Sequence, residues 1–288
     1  MSRLVRFFLC LGVMTVFLLP QQTAAGEQPR KIVLIAGKKS HGPGEHEYVK
    51  SVKLLKLLLD HSPNLKGITT ETYFNGWPDD PSVLDAADTI ILISDGMEWL
   101  PYTFSEDRVQ RLQKEMDRGC GFLALHFTTY VPIQYAKQGL EWDGGFFDYD
   151  GDPAVRSAQK TIETNITLPA KDHPIVRGVT PYRYKEEFYY KIHFAPDSAS
   201  IVPIVSVPVL SDKPQEQIVG WAYQRRNGGR SVGMTFGHYY DNWKLDDYRK
   251  LILNAIVWTS GADVPAGGVL SKFVDEAEVN KIPDNVRN

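Results

Sequence analysis

Apolar runs of strand length alternate with helical patterns in the first half of the chain, and this order limits the folds that the chain can adopt. The runs KIVLIAG, DTIILIS and GFLALHF contain few polar positions, which is typical of strands that are covered on both faces. Strands that alternate with helices in this way predict a parallel sheet with helices on both faces. The expected strands lie at 31–37, 67–74, 88–94 and 121–127, and the expected helices lie at 47–60 and 105–119.

The second half of the chain is less regular. Its predicted elements are four strands and a helix, at 160–168, 199–210, 216–224, 230–237 and 246–258. The stretch 128–160 is rich in Tyr, Trp, Gly and Asp, and we interpret it as a lid-like insertion. We therefore expect one domain at 30–262, followed by a surface tail at 263–288.

The first 25 residues have the order of a secretory signal. Arg3 and Arg6 precede the apolar stretch FFLCLGVMTVFLL, and small residues at Thr23 and Ala25 follow it. This order of charged, apolar and small residues is that of a cleavable export signal, and the apolar stretch is short for a membrane span. We expect a signal peptide at 1–25 and a periplasmic or secreted protein that is not held in a membrane after cleavage. An uncleaved anchor is the alternative.

Charge and cysteine content narrow the class of protein. The chain has 32 Lys and Arg against 35 Asp and Glu, a formal net charge of −3, so it lacks the basic stripe of a nucleic-acid-binding protein. Its two cysteines are Cys10 and Cys120. Because Cys10 lies in the predicted signal, the mature chain keeps only Cys120 and cannot form an intramolecular disulfide.

Histidines follow three of the predicted strands at the end where this class of fold binds ligands. Open parallel sheets bind ligands beyond the carboxyl ends of their strands. His41 and His46 follow the first strand, His126 lies at the end of the fourth, and His238 follows the strand at 230–237. A polar loop at a strand end is the alternative explanation for each histidine by itself. Three strand ends that bring histidines to one edge favour a shared site.

The loop KKSHGPGEHEY crowds two histidines, two glutamates and two glycines into residues 38–48. It has neither the Gly-Lys-Ser/Thr ending of a P-loop nor the GxGxxG spacing of a dinucleotide-binding fold. Its Gly-Pro-Gly sequence suits a tight turn, and imidazole and carboxylate groups suit zinc, manganese or iron. His41 and His46 are not spaced as the pair on a zinc-protease helix. Three interpretations of the loop therefore stay open: a metal site, a phosphate cradle and a polar turn.

A cysteine nucleophile is not expected in this chain. Enzymes of this fold class that use cysteine carry it at a strand-to-helix turn on the ligand-binding edge. Cys120 precedes the fourth strand, at the opposite end, and His126 takes the position at the carboxyl end. No G-x-S-x-G segment supplies a serine instead. We interpret Cys120 as a thiol packed in the core.

Two further segments carry groups that suit a sugar site. Glu186 and Glu187 lie among aromatic residues, where burial can raise the pKa of a carboxyl group and make it an acid or base. A solvated charge pair on a strand edge is the alternative. The segment EWDGGFFDYDGD at 141–152 combines rings with acids. Its composition suits the recognition of a sugar ring and its hydroxyls, and it also suits an ordinary lid.

Seven segments, in this order along most of the mature chain, match a known family. They are KIVLIAGKKSHGPGEHEY, ISDGMEW, GCGFLALHF, WDGGFFDYDGDP, DHPIVRGVTPYRYKEEFYY, GGRSVGMTFGHYYDNW and LILNAIVWTSGADVP. They resemble the trehalose-utilisation, or ThuA-like, proteins, in particular a secreted subgroup. The resemblance implies an α/β fold, the flavodoxin-like, class I glutamine amidotransferase-like three-layer sandwich with a mostly parallel central sheet. It also implies the loss of the catalytic cysteine and a link to disaccharides or 3-keto sugars.

The resemblance also implies a polar pocket, formed by His46, His126, Glu187 and His238. We expect an exported protein that acts on a small carbohydrate or an oxidised sugar, as a hydrolase, lyase or isomerase. The predicted catalytic residues are His126, Glu187 and His46. The predicted substrate-binding residues are His41, Glu45, Asp95, Trp142, His238 and Tyr239. The imidazoles that would suit a divalent metal ion are those of His46, His126 and His238. A sugar-binding protein without catalysis is the alternative, and buried, strongly perturbed acid–base groups would favour the enzyme.

Overall fold

The computed structural model describes residues 29–74, 76–95, 105–197, 200–208 and 216–283. Its strands are β1 (Arg30–Ala36), β2 (Ile68–Tyr73), β3 (Thr89–Ile93), β4 (Gly121–Leu125), β5 (Gly145–Phe146), β6 (Ala158–Asn165), β7 (Arg183–Tyr190), β8 (His193–Phe194), β9 (Ile201–Pro208), β10 (Glu216–Gln224) and β11 (Arg230–Met234). Its α-helices are α1 (Tyr48–Asp60), α2 (Glu106–Asp117), α3 (Ala136–Asp143), α4 (Asp246–Thr259) and α5 (Glu276–Val279). The predicted signal peptide lies outside the described residues. Within them, no helix has the length and apolar character needed to span a membrane.

The central sheet has seven strands in the order β2-β1-β3-β4-β11-β10-β9. Its first five strands run parallel. At one edge β10 pairs antiparallel with β11, and β9 pairs antiparallel with β10. The order of the parallel part is that of flavodoxin-like folds, with β11 as the fifth strand. The predicted three-layer α/β sandwich is therefore confirmed. The strand order reverses between β1 and β3, so the ligand-binding crevice of this fold class lies beyond their carboxyl ends.

The apolar runs of the parallel strands are continuous because each strand supplies two cores. Ile32 and Leu34 of β1 pack in a large core with α1 and α4, while Val33 and Ile35 pack in a smaller core with α2. Successive side chains of a strand point to opposite faces, so a strand that is covered on both sides has no polar position. Cys120 is buried in the smaller core, as predicted, at the amino end of β4.

The stretch 128–160 is part of the folded body, so the expectation of a lid-like insertion is wrong. It contains α3 and β5, and Trp142 and Phe147 are fully buried. β5 pairs with β8, and β6 pairs antiparallel with β7 in a separate two-stranded sheet. The sequence pattern missed this because most of the rings that suggested a lid, such as Trp142 and Phe147, are buried inside the domain.

The segment after residue 262 also differs from the prediction. Val264, Val269 and Val279 are buried in the larger core, and Lys50 of α1 forms an ion pair with Glu276 of α5 at 2.7 Å. The described part of this segment is therefore packed against the domain and is not a surface tail. The proline, glycine and mixed charge of the segment predicted a surface tail, although its three buried valines anchor it in the core.

Candidate active site

Three histidines and one glutamate converge at the carboxyl edge of the sheet. His46 Nε2 lies 3.0 Å from His126 Nε2, and His238 Nδ1 lies 3.3 Å from that same atom. Glu187 Oε2 lies 3.7 Å from His126 Nε2 and 3.4 Å from His238 Nδ1. The three imidazoles are buried. We call these four side chains the histidine cluster.

Separate elements place the members of the histidine cluster. His46 ends the loop between β1 and α1, His126 directly follows β4, and His238 lies in the loop after β11. Glu187 is different, because it lies inside β7 and not after a strand end. The first and last loops are tied together by the hydrogen bonds from His46 N to His238 O at 3.1 Å and from Tyr240 N to Gly44 O at 2.8 Å.

Two cluster histidines have left-handed backbone conformations. The φ angles are 45° at His46 and 55° at His126. This region is disfavoured for residues with a side chain, and such backbone strain concentrates at functional sites. His126 stands at the strand-to-helix turn where related folds carry a strained nucleophile. The strain therefore supports the predicted equivalence of His126 to the nucleophile position.

The tautomer of His126 follows from its hydrogen bonds. Its Nδ1 lies 2.9 Å from the carbonyl oxygen of Thr235, which can only accept, so Nδ1 carries the proton. The lone pair of Nε2 then points into the histidine cluster, where the Tyr189 hydroxyl also lies 2.9 Å from it. A backbone carbonyl that fixes one ring nitrogen is the common arrangement of catalytic and metal-binding histidines.

His46 is held from its other ring nitrogen. Its Nδ1 lies 2.7 Å from the Tyr48 hydroxyl and 2.8 Å from Ser40 Oγ. The same tyrosine hydroxyl lies 3.2 Å from Asp95 Oδ1. Tyr48 and Asp95 therefore form a polar chain behind His46 that orients its ring. Asp95 was predicted to bind substrate. The structure places it behind His46, with the Tyr48 hydroxyl between the two side chains.

Burial sets the protonation of the histidine cluster. Burial, followed by the charge of neighbouring histidines, lowers the pKa of His46 far below its usual range and that of His126 to about 3. Burial would raise the pKa of Glu187, but the hydrogen bond and charge of the histidines outweigh it and lower this pKa. Burial would lower the pKa of His238, but the hydrogen bond to Glu187 and nearby carboxylates raise it. The histidine cluster thus contains two neutral imidazoles, one carboxylate and one imidazole that favours protonation.

Glu186 is a buried carboxyl that the sequence named as a candidate for a raised pKa, but its role in the structure was not predicted. Burial raises its pKa to about 7. Its Oε1 accepts the N–H groups of Glu187 at 2.8 Å and His238 at 3.1 Å. Its Oε2 accepts the N–H of Gly237 at 3.1 Å and Nδ2 of Asn242 at 3.0 Å. Glu186 therefore fixes the loop that carries His238.

The alternation of β7 explains the division between the two glutamates. Residues two apart share a face of a strand, so Glu187 and Tyr189 both face His126. Glu186 lies on the other face with Tyr184 and Phe188, which pack in the larger core. Tyr189 was missed, and this alternation was the signal that could have found it.

The structure brings most of the predicted binding residues close to the histidine cluster, with one exception. His41 lies beside His46, with ring centroids 3.7 Å apart, and Glu45 Oε1 lies 3.7 Å from His238 Nε2. Tyr239 contacts the His238 ring. Trp142 instead packs in the smaller core, where its Nε1 donates to Gln113 Oε1 at 2.9 Å. Its ring does not face the histidine cluster, so the expectation that Trp142 binds the substrate is wrong.

An aromatic group takes the place that was expected for Trp142. Tyr189 stacks on His126, with ring centroids 4.7 Å apart, and Phe147 stacks on Tyr189 at 4.1 Å. Phe127 and Tyr149 continue this group toward solvent, with their centroids 6.0 Å apart. Tyr149 is 39% exposed. The segment 141–152 thus does supply rings near the site, but they are Phe147 and Tyr149.

The donor set of the histidine cluster fits a divalent transition metal. One ligand atom from each of its four members lies within 4.8 Å of the others. A tetrahedral zinc site with bonds of about 2.1 Å places its donors about 3.4 Å apart, which the measured separations of 3.0–3.7 Å approach. His46 and His126 are neutral and the pKa of Glu187 is lowered, as ligands require, and His238 would release its proton when an ion binds. Glu187 therefore joins the three predicted metal-binding histidines.

Comparisons with known proteins agree with this architecture. The ThuA family model, described as trehalose utilisation, matches residues 33–259. A ThuA-like protein from Parabacteroides merdae has a TM-score of 0.60 and 13% identity over 85% of this chain and 98% of its own. One from Bacteroides uniformis has a TM-score of 0.58 and 14% identity over 82% and 94%. Agd3, a carbohydrate deacetylase, has a TM-score of 0.50 and 12% identity over 81% of this chain and 32% of its own. No curated protein matches the sequence.

Proposed function

This chain belongs to the trehalose utilisation (ThuA) family, and on that premise we propose that it is an exported enzyme acting on a small carbohydrate or an oxidised sugar. The observation that carries the proposal is the convergence of His46, His126, Glu187 and His238 at the ligand-binding edge of the sheet. Cys120 is buried at the opposite end, and burial raises its pKa to about 12. The chemistry therefore uses histidine and carboxylate groups without a cysteine nucleophile.

The protonation states suit acid–base chemistry. His126 is neutral at neutral pH and presents the lone pair of Nε2, so it can accept a proton. His238, whose pKa is raised, can donate one from a position 3.3 Å away. A base and an acid at this separation can move a proton from one sugar oxygen or carbon to another, as hydrolysis, elimination and isomerisation all require. Such perturbed groups favour an enzyme over a sugar-binding protein without catalysis.

Metal-assisted chemistry is the alternative within the same proposal, because imidazole nitrogens that coordinate an ion cannot also exchange protons. His46, His126, His238 and Glu187 would hold it, and Tyr48, Thr235 and Glu186 would orient these ligands. A divalent ion there would act as a Lewis acid toward a carbonyl or hydroxyl oxygen of the sugar. A 3-keto sugar offers such a carbonyl.

The surroundings of the histidine cluster suit a sugar ring. The rings of Phe127 and Tyr149 provide an apolar surface beside His46. Glu45 and His41 provide polar groups on the other side. A pyranose has an apolar face and a hydroxylated rim, so it can contact both kinds of surface. The description of the family and the carbohydrate activity of Agd3 support a sugar as the substrate.

Elemental analysis and an activity assay test this proposal together. The purified mature protein is analysed for zinc, manganese and iron and then incubated with glucose disaccharides and their 3-keto forms, with products followed by NMR. We expect about one metal ion per chain and turnover of at least one sugar. His126→Ala should abolish both, while His61→Ala, at the end of α1, should retain both. Turnover at the wild-type rate by His126→Ala would refute the assigned role.

A further inference from the structure

The hydroxyl of Tyr189 is a buried polar group beside the proposed base. Tyr189 is 1% exposed, and its hydroxyl lies 2.9 Å from His126 Nε2. In the part of the chain that the structure describes, no other acceptor lies within hydrogen-bond distance of this hydroxyl. Buried hydroxyl groups nearly always have a hydrogen-bond partner. The state of His126 Nε2 therefore decides where the O–H group of Tyr189 can donate.

The hydroxyl approaches Nε2 from the face of the imidazole. The Tyr189 and His126 rings are stacked, with centroids 4.7 Å apart and planes 23° apart. The lone pair of Nε2 lies in the plane of the imidazole, whereas a group on a stacked ring lies above that plane. The hydrogen bond is therefore poorly aligned with the lone pair. The lone pair stays available to a ligand, and the hydroxyl stands beside the place that the ligand would take.

Ring contacts and Thr235 hold the hydroxyl in this position. Phe147 also stacks on Tyr189, at 4.1 Å, and Phe127 contacts it edge to face at 5.9 Å. Thr235 Oγ1 donates to the Tyr189 carbonyl oxygen at 3.0 Å, and the Thr235 carbonyl oxygen accepts from His126 Nδ1 at 2.9 Å. Thr235 is fully buried. The same residue thus fixes both partners, so the hydroxyl and Nε2 keep their separation.

Packing alone does not explain why residue 189 carries a hydroxyl. The contacts with His126, Phe127 and Phe147 need only an aromatic ring. A buried hydroxyl adds a desolvation cost that a poorly aligned hydrogen bond does not offset. The preceding position of β7 carries Phe188, which fills the larger core without a polar group. A tyrosine at 189 therefore indicates a use for its O–H group in the histidine cluster.

Acceptance of a proton by His126 frees this O–H group. Nε2 has a single lone pair, because Nδ1 keeps its proton on the Thr235 carbonyl oxygen. When His126 takes the proton of a substrate hydroxyl, the substrate O–H bond breaks, an Nε2–H bond forms and the electron pair stays on the substrate oxygen. Nε2 can then no longer accept from Tyr189. The new acceptor is the substrate oxygen, which has become negative and lies beside the same nitrogen.

We propose that Tyr189 is a catalytic residue whose hydroxyl donates a hydrogen bond to the substrate oxygen that His126 deprotonates. This role rests on the proposed function and deepens it, because it makes the histidine cluster an oxyanion site as well as a base. A donor that is already in place stabilises negative charge in a buried site without a cost of reorganisation. An ion on the lone pair of Nε2 would free the O–H group in the same way, so both versions of the proposed chemistry include this donor.

Tyr189→Phe removes the hydroxyl and keeps the ring. Formate is the probe, because it is a small anion whose oxygen atoms only accept hydrogen bonds. Its dissociation constant is measured by ligand-observed NMR with the purified mature protein, both metal-free and saturated with zinc. Loss of one hydrogen bond to a charged acceptor should weaken formate binding about 10–100-fold. Tyr184→Phe, on the same strand but in the larger core, is the matched control and should bind formate as the wild type does.

Turnover of the sugar that the wild type converts is the second measurement. Tyr189→Phe should lower kcat about 100–1000-fold, which is the effect of removing one oxyanion donor. KM should change far less, because the hydrogen bond strengthens only as the negative charge develops. Zinc affinity should equal that of the wild type, whereas loss of a residue that only orients His126 would lower it.

The outcomes separate the role of Tyr189 from the proposed function. Equal formate affinity of Tyr189→Phe and the wild type, no formate binding by either, an unchanged kcat, or a parallel loss of zinc affinity overturns the oxyanion donor alone. If Tyr189→Phe does not fold, Thr235→Val releases the Tyr189 backbone but keeps the carbonyl that holds His126. It should weaken formate binding by a smaller factor, and unchanged binding overturns the donor. A wild type that binds formate through Tyr189 but neither converts sugar nor holds metal overturns the proposed function and supports the oxyanion site.

Discussion

Replacement of Glu186 by glutamine changes one atom of the carboxyl group. It should affect the geometry of the site more than the stability of the fold. The two carboxylate oxygens accept four N–H groups. In Glu186→Gln one oxygen becomes an NH₂ group, which can only donate. Two of the four N–H groups then face a donor.

The two contributions to the free energy of unfolding nearly offset. Each buried N–H without an acceptor costs about 1–3 kcal/mol, so two cost roughly 2–6 kcal/mol. Against this, burial raises the pKa of Glu186 from 4.5 to about 7. At about 1.4 kcal/mol per pKa unit, removal of the charge returns roughly 3 kcal/mol near neutral pH. We expect the free energy of unfolding at pH 7 to change by less than about 3 kcal/mol.

The effect on the site should be larger than the effect on the fold. Either orientation of the new amide loses contacts with the loop that carries His238, so this imidazole is no longer held. Loss of a group that orients a metal ligand lowers metal affinity about 10–100-fold. Calorimetric titration of the metal-free protein with zinc measures this change, and thermal unfolding measures stability.

A matched variant controls for the loss of a glutamate. Glu163→Gln removes an exposed carboxylate on β6 that pairs with Arg183, and it should leave zinc affinity unchanged. Glu186→Gln that unfolds normally and binds zinc as tightly as the wild type would refute the role of Glu186. If Glu186→Gln does not fold, Asn242→Ala removes one of the four donors and should lower zinc affinity by a smaller factor.

Three further predictions concern the whole chain. N-terminal sequencing of exported protein should begin at Gly26, and a start at Met1 would exclude cleavage. Cys120→Ser should keep turnover and zinc binding, although its polar hydroxyl in the core lowers the unfolding temperature; selective loss of turnover with unchanged stability would restore a nucleophilic role. Saturation with zinc at about 100 times its dissociation constant stabilises a protein by about 2.7 kcal/mol, so chelation should lower the unfolding temperature by roughly 5–11 °C. His126→Ala is the control. Chelation should leave its unfolding temperature unchanged while it lowers that of the wild type.

The parallel sheet was predictable because its inner strands β1, β3 and β4 are continuous apolar runs. Both faces of β1, β3 and β4 are buried, so the apolar runs in the sequence show directly where these strands begin and end. The same rule placed His46, His126 and His238 at one edge, because the carboxyl ends of parallel strands coincide. These contacts follow from topology, which the pattern determines.

The remaining features depended on which way a side chain faces. Glu186 and Glu187 are indistinguishable by composition, and only the alternation of β7 separates the carboxylate that faces the histidines from the one that binds the loop. Trp142 lies on α3, whose packing against the sheet was not visible in a segment interpreted as a lid. Residue type therefore identified the region of the site, and backbone geometry assigned the roles.

The left-handed backbone at His46 and His126 lowers the stability of the fold at two positions of the proposed site. A side chain held in this region costs about 1–3 kcal/mol, and asparagine tolerates it better than most residues. Laboratory selection for heat resistance alone should therefore favour asparagine or glycine at these two positions and yield a hardier protein without activity. Engineering of a robust active form would have to leave both residues fixed and seek its gains elsewhere in the chain.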